Sequence, residues 1–175
     1  DCRFIAKEKL KHIVSKEAFN IDGLGKKVIE QFWDLNFLKE PSDIFDLNFN
    51  KIEKLDGWGE QSINNLKKAI EKSRMISLDK FIYSIGIRHI GQENAKILAG
   101  FFNSIKEFTK LFELKNRQKI LINLVDLDGI GETQTHSIDN FFSSETNIRI
   151  TKELVAKLKI KNYTSQNTNG KFSNK

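Results

Sequence analysis

The sequence predicts an all-α protein built from four tandem copies of one two-helix unit, and three observations predict it. Apolar residues recur at helical spacing: Ile63, Leu66 and Ile70 fall at i, i+3 and i+7, and Ala95, Leu98 and Phe102 repeat the pattern. Proline occurs once, at Pro41, and strand-like alternation is scarce. Eight of the ten glycines fall in four pairs, Gly23/Gly25, Gly57/Gly59, Gly86/Gly91 and Gly129/Gly131. The last glycine of each pair stands at 25, 59, 91 and 131, so the spacings are 34, 32 and 40, the period of a supersecondary repeat.

Composition bounds the function. The chain has 175 residues, 39% apolar with 14 Phe, which is material for a core. A net charge of +6 and a pI near 9.3 suit a polyanionic partner, although a plain soluble protein also carries such an excess. Cys2 is the one cysteine, which excludes an internal disulfide and a complete zinc site within the chain. No leader-like segment and no long apolar run are present, so no membrane association and an intracellular location are expected. The chain begins without Met and ends in a polar tract, as expected of a segment of something longer.

The elements follow in order. Residues 1–15 precede the first hairpin. That hairpin lies near 21–26 in NIDGLGKKVIEQF. Lys26 and Lys27 open its second helix, where cations oppose the helix dipole; contact with phosphate would favour them, and a solvated face is the plain alternative. The second hairpin, near 55–60, reads KLDGWGEQ. Its first four residues also fit K-x-D-G, the pattern around the lysine nucleophile of nucleotidyl-transferring ligases. Asn20 and Asp126 occupy the place of Lys54 in the first and last units, so the Asp-Gly belongs to the hairpin and Lys54 is not read as a nucleophile. Trp58, at the plug of this turn, is expected to be buried. The third hairpin, near 85–92, is read as a longer, irregular member carrying Arg88 and His89. The fourth lies near 127–132, followed by Thr133 and Gln134, which could donate to phosphate or act as ordinary caps. Glu60, Glu93 and Glu132 at the other helix starts suit the dipole and repel DNA, so the first hairpin is expected to grip best. The Phe101/Phe102 and Phe141/Phe142 pairs are expected in the core at helix ends. YTSQNTNG, within 159–175, has the composition of a linker.

Each unit has one physical logic. A helix ends at a glycine that adopts backbone angles other residues avoid. An apolar residue (Leu24, Trp58, Ile90 or Ile130) plugs the turn. The next glycine lets an anion approach the backbone, and a second helix starts at once with its free N–H groups aimed outward. This is the helix-hairpin-helix motif, which holds duplex DNA by phosphate with little sequence preference. The expected DNA-binding residues are Gly23, Gly25, Lys26, Lys27, Gly57, Gly59, Gly86, Arg88, His89, Gly91, Gly129, Gly131 and Thr133. Gly23-Leu24-Gly25 does not open a dinucleotide-binding G-x-G-x-x-G, because Val28 replaces the third glycine and no strand precedes it. No paired carboxylates, nucleophile–base set or metal cluster is legible, so no catalytic residue is assigned.

The run CRFIAKEKLKHIVSKEAFNIDGLG resembles the segment of bacterial NAD-dependent DNA ligases that joins a four-cysteine zinc finger to a helix-hairpin-helix domain. Cys2, Leu10, His12, Ser15, Ala18, Ile21, Gly23, Leu24 and Gly25 match the family pattern there; Ile13, Lys16 and Phe19 replace its Phe, Arg and Met. Lys16 keeps the charge and loses the planar fork. FIYSIGIRHIG at 81–91 is similar to the family's F-x-x-x-L-G-I-R-x-V-G, and GKFSNK at 170–175 resembles the opening strand of a BRCT domain. The resemblance implies a division into a zinc-finger remnant (1–15), a hairpin domain (16–158), and a linker with the first BRCT residues (159–175). It implies a parent enzyme that seals nicks in double-stranded DNA with NAD and Mg2+, in replication, repair and recombination. This segment would complete a clamp on the minor groove. Cys2 becomes the last zinc ligand of the intact protein, and a monomeric, cytoplasmic, nucleoid-associated enzyme is implied. No cofactor is expected in the segment itself. The alternative is a free-standing helix-hairpin-helix module of a repair or recombination accessory protein; an adaptor sharing only the turn is a further reading.

Overall fold

The computed structural model describes residues 2–164, and it is mostly helical over that span. Its described residues divide into two compact units: residues 2–76, 84–86 and 149–159 form unit 1, and residues 77–83, 87–148 and 160–164 form unit 2. The sequence had suggested a single hairpin domain over 16–158. The expected boundary near residue 15 falls inside unit 1. The expected BRCT start, and the linker from residue 165 onward, lie outside the described residues.

Unit 1 contains α1 (Cys2–Ile13), α2 (Lys26–Asp34), a 3-10 turn at Pro41–Asp46, α3 (Phe49–Ile52) and α4 (Glu60–Ser73). Leu10, Ile13, Ile29, Phe32, Ile52 and Leu66 are almost fully buried. Each such side chain contributes roughly 1.5–3 kcal/mol relative to exposure. The periodic set Ile63, Leu66 and Ile70 forms the buried face of α4, as its spacing predicts. Lys7 and Lys11 of α1 both reach Glu30 of α2, at 2.9 and 3.0 Å. The two ammonium groups, Lys7 foremost, hold the Glu30 carboxyl below the ordinary range. Pro41 opens its 3-10 turn, where a missing N–H costs nothing.

The last part of unit 1 comes from α10 (Glu145–Ala156). Arg149 forks onto Glu40, Nη2 to Oε1 at 2.8 Å and Nη1 to Oε2 at 3.0 Å. That guanidinium lowers the Glu40 carboxyl below its usual value. Lys157 Nζ lies 2.8 Å from Asp46. Arg74 donates to the carbonyls of Phe45 and Lys157 at 3.1 and 3.0 Å and lies over the Phe45 ring. Short strands β1 (Met75–Ser77) and β2 (Lys159–Lys161) pair into a two-stranded sheet.

Unit 2 contains α5 (Leu78–Ser84) up to Tyr83, α6 (Gln92–Phe102), α7 (Ile105–Phe108), a 3-10 turn at Thr109–Phe112, α8 (Leu114–Leu124) and α9 (Glu132–Phe142). Its core is aromatic. Phe108 packs edge-on against Phe81, Phe102 and Phe142, with centroids 6.5, 5.2 and 5.7 Å away. Such edge-to-face pairs add about 0.5–1.5 kcal/mol beyond their burial. Of the two Phe pairs, Phe102 and Phe142 are buried, and Phe101 and Phe141 pack on them from partly exposed positions. Arg117 is buried on α8; its Nε meets Asp139 at 2.9 Å and its Nη1 donates to the Leu111 carbonyl at 3.0 Å.

Candidate nucleic-acid interface

Four turns share one backbone plan. In each, the N–H of the plug residue donates to the carbonyl three residues earlier. The pairs are Leu24 to Ile21 (3.4 Å), Trp58 to Leu55 (3.2 Å), Ile90 to Ile87 (3.1 Å) and Ile130 to Leu127 (3.1 Å). The residue before the plug is left-handed: Gly23 at φ +99°, Gly57 at +86°, His89 at +66° and Gly129 at +87°. The residue after the plug is an extended glycine that caps the next helix: Gly25 for α2, Gly59 for α4, Gly91 for α6 and Gly131 for α9.

The third turn is therefore no longer than the others, contrary to the sequence reading. His89 fills the left-handed place that glycine takes elsewhere, and histidine is among the residues that tolerate it best. Gly86, at φ +72°, stands in register with Asn20 at +53°, each five residues before its capping glycine. In the first and third turns the preceding segment thus bends through an additional left-handed residue.

The glycines fall into two kinds. Gly23, Gly57 and Gly129 are left-handed, so side chains there are strained. Gly23 and Gly129 also lie against a neighbouring helix: an added Cβ would meet Leu66 Cδ1 at 3.3 Å and Ile97 Cδ1 at 2.5 Å. Gly25 and Gly59 are extended, with nothing within 4 Å of an added Cβ. Their surroundings leave room for a side chain, and that room faces outward. Gly91 and Gly131 are also extended and exposed, near only the caps Asn94 and Gln134.

The plugs Leu24, Ile90 and Ile130 are buried. Trp58 is not: it is partly exposed, its ring 5.5 Å from Phe32 and its Nε1 donating to Gln31 at 3.3 Å. The indole is too large to vanish into a gap sized for Leu or Ile, and its N–H needs a partner.

The capping amides also differ. Ser62 Oγ, Asn94 Oδ1 and Gln134 Oε1 accept from the N–H of Gly59, Gly91 and Gly131, at 3.0, 3.1 and 2.9 Å. The residue three past Gly25 is Val28, which has no acceptor to offer. Lys26 and Lys27 follow, both exposed. An open concavity of about 450 Å³ lies here, lined among others by Lys11, Lys16, Asn20, Gly25 and Lys26. The sequence reading missed the Ser62 and Asn94 caps, although the residue three past the second glycine signals them. It left Gln134 undecided; in the structure it is a cap. Arg88, His89 and Thr133 are exposed beside their turns. Lys54 is exposed as well, outside any cluster of metal-ligating side chains among the described residues.

Cys2 is an exposed thiol on the first turn of α1. A structural zinc takes four ligands, and among the described residues no three His, Cys, Asp or Glu side chains gather to hold a metal. The described residues alone do not fit a zinc ion. Among them, no helix is long and apolar enough to cross a membrane.

A family model described as a helix-hairpin-helix motif matches residues 80–151, which include the third and fourth turns. The whole chain is 50% identical over 175 residues to a protein named DNA ligase from Pelagibacter ubique. It is 43% identical over 180 residues, 99% of the chain, to one from Wolbachia pipientis. A DNA ligase of Rickettsia canadensis is 43% identical over 164 residues, 89% of the chain. The chain covers 25%, 27% and 24% of those three proteins, so it spans about a quarter of the relatives it matches.

Proposed function

We infer that this chain is the helix-hairpin-helix portion of a DNA ligase that uses NAD, and its task follows from that premise. The portion holds nicked duplex DNA without reading bases, gripping phosphates of both strands across the minor groove and completing a clamp around the nick. Nick sealing in replication, repair and recombination is the work of the whole enzyme. NAD and Mg2+ serve that reaction through residues outside this chain, and no described residue is assigned to either. Cys2 supplies one zinc ligand only if three others come from elsewhere in the protein. The enzyme acts as a monomer in the cytoplasm, on the nucleoid.

The observation that carries the reading is the recurrence of one device: an exposed, extended glycine at the head of a helix, behind a plugged turn. Free helix-start amides and the positive dipole end favour phosphate at such a place. The first turn is the strongest of the four, because its capping amide has no side-chain acceptor three residues on and two exposed lysines follow it.

The test is fluorescence anisotropy of the chain with nicked duplex over a salt series. Affinity should fall with salt at a log–log slope of roughly −3 to −6, as several phosphate contacts give. Lys26→Glu together with Lys27→Glu should weaken binding and bring the slope closer to zero by about two. Binding that ignores salt would end the reading.

A further inference from the structure

Asn94 makes two bonds that join two turns. Its Oδ1 accepts from the N–H of Gly91, the cap of the third turn, at 3.1 Å. Its Nδ2 donates to the carbonyl of Gly129, in the fourth turn, at 2.9 Å. The partners have opposite polarity, so one amide orientation satisfies both. Ile97, one helical turn further along α6, meets the same glycine through its side chain. One face of α6 therefore grips the fourth turn by packing and by a hydrogen bond at once, while its start carries the third.

The second turn provides an internal comparison. Ser62 holds the Gly59 N–H as Asn94 holds that of Gly91, but its hydroxyl donates back to the Gly59 carbonyl at 3.1 Å. It caps without bridging. Asn94 therefore does more than its position requires.

We propose that Asn94 is a positioning residue for DNA binding, holding the third and fourth turns at a fixed separation so that both engage phosphate together. The inference rests on the DNA-binding reading above. Two weak phosphate grips held rigidly act as one bidentate grip, because the second contact is made at high effective concentration.

Asn94→Ser is the discriminating variant: it keeps the cap, as Ser62 shows, and removes the bridge. Nicked-duplex affinity should fall about fivefold at moderate salt, as loss of one net hydrogen bond gives. The log–log salt slope should move toward zero by about one. Asn94→Asp keeps the acceptor and turns an oxygen toward the Gly129 carbonyl, so it should lose more. Circular dichroism and thermal unfolding are recorded alongside. A loss of affinity at unchanged slope, in step with lowered stability, assigns Asn94 to folding alone and overturns the proposal. Wild-type affinity and slope in Asn94→Ser overturn it too. Failure of the wild-type chain to bind at any salt strikes the DNA-binding reading itself, a separate outcome.

Discussion

Gly57 and Gly129 occupy one place in two turns and differ in what surrounds them. Gly57 at φ +86° faces open space, whereas a Cβ on Gly129 would lie 2.5 Å from Ile97. Gly57→Ala should therefore cost about 1–2 kcal/mol, the left-handed penalty alone. Gly129→Ala should cost about 1–3 kcal/mol more, because Ile97 must move in a packed site. Gly25→Ala should leave urea-unfolding stability within about 1 kcal/mol, as an exposed site gives, and still weaken duplex binding, since the new methyl stands in the open space where the proposed function brings phosphate. Anisotropy and denaturation on the same three variants separate glycines that shape the turn from those that face the ligand. The glycine pairs and their two roles were legible in the sequence, but the crowding at Gly23 and Gly129 was not. It depends on Leu66 and Ile97, which come from other helices. His89 escaped for a related reason: only the backbone angles show that a histidine holds a glycine's place.

At the scale of the element, helix starts differ by one side chain. Val28 leaves the Gly25 amide open, where Ser62, Asn94 and Gln134 close theirs. Val28→Ser should close it. Stability should stay within about 1 kcal/mol, a cap gained against some packing lost. Duplex affinity should drop several-fold, read by anisotropy at fixed salt; unchanged affinity would show that this amide does not meet DNA. Helical periodicity foretold the buried faces of α4 and α6 well, because each is a local pattern on one helix. Trp58 was misjudged because volume against a particular gap is not a local property. The Arg74 and Arg117 contacts were invisible for the same reason, since their carbonyl partners Phe45, Leu111 and Lys157 lie in 3-10 turns and past a helix end, whose paths the pattern does not specify.

For the whole molecule, charge links folding to pH. The Glu40 carboxyl is lowered by Arg149, and that of Glu30 by Lys7 and Lys11. Above about pH 5 both are ionised in the folded and unfolded chain, and their stabilisation is fully present. As pH falls through the ordinary glutamate value of about 4.3, the unfolded chain takes up protons first. The urea midpoint should therefore decline between pH 5 and pH 3, and Arg149→Met should remove the part due to Glu40. Connectivity carries a consequence of another kind. Unit 1 takes residues 149–159 from the far end of the chain, and unit 2 takes the stretch that follows. Tyr163 N–H, for instance, donates to the Asn103 carbonyl at 2.7 Å. Of the residues in these two units, a ribosome makes these segments last. At about 5–20 residues per second, α1 to α4 emerge several seconds before Arg149 and Lys157 arrive to close on Glu40 and Asp46. The nascent chain should thus stay open to chaperones until translation is nearly past this region, and a transcript cut short before it would leave both units unsealed.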